Sequence, residues 1–313
     1  MLHCATPDGI ETEMQKRLFY AALLGLLLIA LSGGPAGASS ARAQTASRAT
    51  VALAGQWIRQ GQAGVVTVRG EGIADVRALF QGRLYHFYPE GSRYVGLLSV
   101  DVATDVKDLP LQVMVRYTDG TTEQIEHMVP INWGNYARGA VMLPGALLPL
   151  LDPEINNAED SKMANIVGRF TAARYWAGGF VQPNPGDIVG YFGATRLYND
   201  SYWYTHSGLD TAMPEGTPVT AAANGRVILS ETLPIRGTYV LIDHGWGVYT
   251  GYAHLTQRLV VPGQWVHQGD VIGLSGNTGR STGPHLHWEV AVGGVWVDPQ
   301  AFLELGLTLD PAS

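Results

Sequence analysis

This sequence predicts a mainly β protein. An immunoglobulin-like β-sandwich is followed by a short helical linker and a larger antiparallel β domain. Three observations predict it. The 313 residues include 39 glycines and 17 prolines, a turn-rich composition that favours short strands over long helices. Short apolar runs separated by turn signals recur on both sides of one exceptional stretch. That stretch runs from Pro153 to Gly168 with neither Gly nor Pro between them, as a helix requires.

The elements follow in order. Lys16 and Arg17 precede an apolar run over 18–31, and small residues lead to Ala41-Arg42-Ala43. A run of about 14 apolar residues is shorter than the ~20 of a membrane span. Residues 1–43 therefore read as an export signal cleaved after Ala43, with an uncleaved N-terminal anchor as the alternative. Residues 44–133 form the β-sandwich, with strands expected over 65–70, 76–82, 84–89, 94–102, 111–117 and 122–131. Residues 134–180 are the linker with one or two short helices. Its acids Glu154, Glu159 and Asp160 are expected on a solvated face. Residues 181–313 turn Gly- and Val-rich again and read as short strands joined by tight turns.

Composition removes several classes. Apolar residues make up 46% and charged residues 15%, so a sizeable core can form. The net charge is −7 and no block of Lys or Arg stands out. Nucleic acid is thus excluded as a partner. The only cysteine, Cys4, lies within residues 1–43, ahead of the apolar run, so a chain cleaved after Ala43 has no disulfide. Any metal site must use His, Asp, Glu or water.

Six of the nine histidines lie between 206 and 287, in a pattern with chemical content. His206-Ser-Gly-Leu-Asp210 reads as an extended segment, where residues of equal parity point one way. His254 stands in Tyr-Ala-His-Leu. His285 and His287 flank Leu286 in an expected strand and share a face. A catalytic zinc takes three N or O ligands and leaves a position for water. His206, Asp210 and one histidine of the 285/287 pair supply three. The remaining imidazoles can move a proton or steady an oxyanion. There is no HExxH, which excludes a helical zincin.

HSGLD, YAHL and GRSTGPHLHWEV, in this order, resemble the lysostaphin-type zinc peptidases, family M23. The resemblance spans about residues 183–302 and includes the framing pieces GTPVTAAANGRV, GDVIGLSGNTG and Val297-Asp298-Pro299. It implies His206, Asp210 and His287 as ligands of one Zn²⁺ per chain, and His254 and His285 as catalytic histidines. It implies a peptidoglycan peptide as substrate, stem or cross-bridge, and the export signal agrees: the place of action is extracellular, periplasmic or envelope-associated. A monomer is expected, with the β-sandwich as a wall-binding or positioning module. The rival is an inactive scaffold of the same fold that binds the wall or activates a separate amidase. A biotinyl- or lipoyl-type carrier fails, because no lysine follows Lys162. His244 reads as structural, His267 as a surface residue, and His86 and His127 as ordinary strand positions. Tyr198, Tyr202 and Tyr204 read as groove wall, one of them able to donate to an oxyanion.

Overall fold

The structure, a computed structural model, describes residues 47–184 and 186–307. The export signal expected over 1–43 lies outside the described residues. Residues 47–307 fall within one compact unit.

The N-terminal part is built from β1 (Ala49–Leu53), β2 (Ile58–Arg59), β3 (Ala63–Gly70), β4 (Ile73–Phe80), β5 (Arg83–Glu90), β6 (Arg93–Ser99), β7 (Asp108–Tyr117) and β8 (Thr122–Asn132). Their hydrogen-bonded order is β1-β3-β6-β5-β4-β7-β8-β2. Period-two patterning explains the layering. In β7, Leu111, Val113, Val115 and Tyr117 point inward, while Gln112, Met114 and Arg116 face out. They meet Val66, Val76, Phe80, Phe87 and Leu98 in one core. The β4–β5 turn has Gln81 at φ 49° and Gly82 at φ 73°, the primed turn that suits the twist of a tight hairpin. Strands β3 to β8 coincide with the six expected runs to within a few residues. The short β1 and β2 carry too few alternating positions to stand out in sequence.

The segment between the two β parts is more structured than a linker. β9 (Arg138–Val141) pairs in parallel with β11 (Thr195–Tyr198), which pairs with β12 (Tyr202–Thr205). A 3₁₀ turn (Gly145–Leu151) leads into α1 (Pro153–Val167). The Asp152 carboxylate caps α1 by accepting from the Glu154 amide, Pro153 sits in the first turn, and Gly168 closes the helix. Its buried stripe is Asn156, Glu159, Met163 and Val167. The expectation that Glu159 lies on a solvated face is therefore corrected. Asp160 and Glu154 are exposed, but Glu159 is only 4% exposed.

The C-terminal part adds β10 (Ile188–Gly190), β13 (Leu209–Ala212), β14 (Pro218–Thr220), β15 (Gly225–Leu233), β16 (Gly237–Gly245), β17 (Val248–Leu255), β18 (Gln257–Arg258), β19 (Trp265–Val266), β20 (Val271–Leu274), β21 (His285–Val292) and β22 (Val295–Val297), then α2 (Pro299–Glu304). Its main sheet runs β10-β13-β21-β17-β16-β15-β19. Strand β21 alternates cleanly. Leu286, Trp288, Val290 and Val292 enter a core with Val240, Ile242, Tyr252 and Phe302. His285, His287 and Glu289 therefore share the opposite face. The N-terminal part packs against this domain partly through rings. His86 stacks on Phe170 at 4.2 Å and Tyr88 on Trp246 at 4.2 Å.

Candidate metal centre and its cleft

Register builds the site. β13 and β21 pair so that Asp210 lies opposite His287 and Ala212 opposite His285. β17 pairs on the other side, with Ala253 opposite His287. His206 enters just before β13, four residues from Asp210. Gly208 between them is needed for space. A Cβ there would lie 2.4 Å from the Trp288 carbonyl oxygen and 2.8 Å from the His287 ring. Gly190 in β10 is likewise needed, since a Cβ would lie 2.2 Å from Asp210 Oδ2.

His206, Asp210 and His287 converge. His206 Nε2 is 2.9 Å from Asp210 Oδ1 and 3.0 Å from His287 Nδ1, and His287 Nδ1 is 2.7 Å from Asp210 Oδ1. Ligand atoms on a tetrahedral zinc stand ~3.3 Å apart, given bonds of about 2.0–2.1 Å. The three donors, all buried, stand 2.7–3.0 Å apart, inside that spacing, so each need move outward only slightly, and they match the N/O preference of the metal. Their outer partners fit as well. His206 Nδ1 is 2.8 Å from the Tyr191 carbonyl, which takes the proton there and leaves Nε2 as the donor atom. His287 Nε2 faces Glu289 Oε1 at 3.4 Å, a carboxylate behind the imidazole. Arg196 donates to Asp210 Oδ2 at 3.1 Å, leaving Oδ1 for the shared point.

The charges follow from these contacts. Burial would raise the Asp210 pKa, but hydrogen bonds and charge from His206 and His287 hold it well below the usual carboxylate range. Burial lowers His206 in spite of Asp210. Burial would lower His287 too, but Asp210 and Glu289 outweigh it and raise it to about 9. The two histidines differ because His287 lies between two carboxylates, whereas the outer nitrogen of His206 meets a neutral carbonyl. In the metal-free chain, His287 thus holds a proton below about pH 9. That proton stabilises the fold below the ordinary histidine pKa of about 6.5, and the contribution fades as pH rises through the folded value. A metal ion must displace it. Zinc affinity is therefore expected to rise ~10-fold per pH unit toward that value. Chelator competition at pH 6, 7 and 8 measures the slope; a flat profile would contradict the His287 protonation.

His254 and His285 stand beside this trio. Their rings lie 4.7 Å apart, and His254 is 5.7 Å from His287. His285 Nε2 is 3.7 Å from Asp210 Oδ1, outside the tight group. His254 Nδ1 is 2.7 Å from the Thr278 carbonyl and His285 Nδ1 is 2.8 Å from the Gly283 carbonyl. Both carbonyls accept the Nδ1 proton, so both rings offer a bare Nε2. Burial lowers both pKa values, His254 far more, keeping the rings neutral near pH 7. His254 is held at φ 60°, a costly conformation for a histidine. The Arg236 carbonyl accepts its amide and helps fix it there.

All five sequence-predicted residues line one cleft of about 430 Å³. Val141 and Leu143, from the segment expected to be a linker, form part of its wall. Among the lining residues none comes from 47–133. Tyr198 and Tyr204 line the cleft, the latter with its hydroxyl 3.3 Å from Ser207 Oγ. His244 is buried between the Asn224 carbonyl and Thr250, and burial lowers it to about 4. His267 is exposed.

Sequence reasoning missed the support beneath the site. Glu289 is fully buried and accepts from Arg236 Nε at 2.9 Å, Arg236 Nη2 at 2.7 Å, Tyr239 Oη at 2.8 Å and Ser207 Oγ at 2.7 Å. Arg236 Nη1 also donates to Glu159 Oε1 of α1 at 3.0 Å. The only sequence signal was parity, since Glu289 is two residues beyond His287 on the same face.

Three buried N/O donors meeting at one point in a cleft, with two neutral imidazoles alongside on an antiparallel sheet, make a donor set able to hold a metal ion. Residues 204–299 match the family described as Peptidase family M23, and the chain contains an M23 peptidase domain. It is 53% identical over 89 residues to peptidoglycan DD-endopeptidase ShyA of Vibrio cholerae serotype O1, covering 28% of this chain and 21% of that protein. It is 46% identical over 97 residues to DD-carboxypeptidase/endopeptidase Mpg of Neisseria meningitidis serogroup B, covering 31% of this chain and 22% of that protein. The chain thus spans about a fifth of the length of these curated relatives. A candidate M23 peptidase of Pseudomonas aeruginosa, solved by crystallography, superposes with TM-score 0.59 at 29% identity, covering 78% of this chain and 93% of the other.

Proposed function

We propose that this protein is an exported zinc-dependent endopeptidase that hydrolyses peptide bonds in peptidoglycan. The observation that carries the reading is the convergence of His206, Asp210 and His287 with two further neutral imidazoles in one open cleft. The named activities of the relatives that match residues of the same domain support it.

His206, Asp210 and His287 hold one Zn²⁺ per chain. When bound, the metal polarises a carbonyl and makes water acidic enough to act near neutral pH. The residues of the chain do the rest. His285 and His254, neutral and with Nε2 bare, accept the proton of the attacking water and return one to the leaving amine. In their protonated state they steady the oxyanion of the tetrahedral intermediate. Arg196 and Glu289 keep Asp210 and His287 oriented. The β domain binds the wall or positions the cleft on it, and the protein acts as a monomer outside the cytoplasm.

The direct test follows free amines released from peptidoglycan sacculi. The zinc-loaded protein should release them, the chelated protein should not, and zinc should restore activity with about one ion bound per chain. Absence of release from sacculi of several chemistries would rule out the hydrolase reading.

A further inference from the structure

The cleft holds three arginines, and they are not equivalent. Arg196 is paired with Asp210, and Arg236 with Glu289 and Glu159. Arg280 is only 7% exposed, yet it makes no ion pair among the described residues. Among the described residues its side-chain hydrogen bonds leave from Nη1 alone, to Asn156 Oδ1 at 2.7 Å and to the Leu150 carbonyl at 3.3 Å. Both acceptors are neutral. The guanidinium lies over the rings of Tyr204 at 4.5 Å and Tyr198 at 5.1 Å.

A buried cation with no carboxylate at ion-pair distance is costly to keep, and Asp160 acts on it only from further off. Here α1 and the preceding 3₁₀ turn hold it in place by one end of its fork. The Nε–Nη2 edge remains, and that edge is the one that grips a carboxylate with two parallel bonds. Arg280 also belongs to the loop that delivers His285. Its neighbour Ser281 places Oγ 3.1 Å from His285 Nδ1. A group held by Arg280 is therefore held in register with the reacting face.

We propose that Arg280 is a specificity-determining residue that binds a free carboxylate of the peptide lying in the cleft. The proposal deepens the peptidase reading and rests on it for the identity of the ligand as a peptide. Peptidoglycan stems carry such groups at their D-alanyl end and on the diamino acid. The guanidinium selects strands in which that carboxylate is free over strands in which it is amidated. Asn156 acts through Arg280, fixing the fork.

The test measures binding separately from turnover. The zinc-loaded whole chain carrying His285→Ala is titrated by calorimetry with a synthetic stem pentapeptide. Two amidated forms are titrated alongside, one at the C-terminus and one at the diamino-acid carboxylate. A charge-assisted bidentate contact is expected to favour the free carboxylate over one of the amides by roughly 10-fold or more. Arg280→Gln in the same background should lower this ratio to about one by weakening the carboxylate form alone. Arg280→Lys, which keeps charge and most of the bulk should Gln not fold, should reduce the ratio to a fewfold. Equal binding of all three peptides by the parent, or a ratio that survives in Arg280→Lys, would overturn the proposal. Amine release from sacculi is scored on the chain with His285 intact. Discriminating binding without release contradicts the hydrolase reading and leaves the carboxylate site standing. Release without discrimination removes the carboxylate site alone.

Discussion

A His285→Ala protein is expected to keep its zinc and to lose about 10²–10⁴-fold in the rate of amine release, the usual contribution of a positioned proton-transfer group. The geometry separates this residue from the three converging donors. His285 Nε2 stands 3.7 Å from Asp210 Oδ1, whereas the three donors lie within 3.0 Å of one another. Its Nδ1 is taken by the Gly283 carbonyl, so the ring is aimed and its free nitrogen faces the cleft. On the proposed reading, loss of the imidazole removes a base and a proton donor and leaves the three converging donors in place. Metal content by plasma emission and turnover on sacculi must therefore part company in this variant. In His287→Ala they must fall together. Zinc loss in His285→Ala would make it a ligand, and unchanged turnover would remove it from the reaction.

Arg236→Met is expected to destabilise the folded chain by about 3–5 kcal/mol, the cost of breaking a buried ion pair from one side. Arg236 is 5% exposed and bridges two carboxylates that are themselves buried, Glu159 and Glu289. Its attraction to them, with the His287 contact, holds Glu289 well below the usual carboxylate range despite burial. Without the guanidinium, Glu289 must take up a proton or turn, and either change loosens the carboxylate behind His287. Zinc affinity is expected to fall about 10–100-fold alongside the stability, as for other partners behind a metal ligand. Urea unfolding and zinc competition read the two effects. A variant that loses less than about 1 kcal/mol and binds zinc normally would show that Arg236 is not the strut between α1 and the metal centre.

The two variants mark what was and was not legible. His285 and His287 were readable as a pair because strand parity is a local property, whereas His206 reaches Asp210 across the bend at Gly208, ahead of β13. Residues two or four apart on an extended segment share a face whatever surrounds them. The strands of the β domain were readable for the same reason, since β7 alternates without interruption. Glu159 was misread because the same logic fails when a buried helix stripe is partly polar. Asn156 and Glu159 occupy the first two buried positions of α1, so hydrophobic periodicity points away from the face that packs.

The sequence by itself thus determined the β class, the turn-rich scaffold and the likeness to a known family, and it singled out the histidines and the aspartate that the cleft brings together. Each rests on short motifs and local patterning that can be read without knowing which segments meet. Only the tertiary structure decided that the segment expected to be a linker is part of the cleft. It placed Val141 and Leu143 in the wall, Glu159 on Arg236, and Asn156 on Arg280. Those contacts join residues 77 and 124 positions apart. Their partners are set by which faces of α1 and the main sheet bury together, and a charged side chain carries no local mark of the counter-charge it will meet.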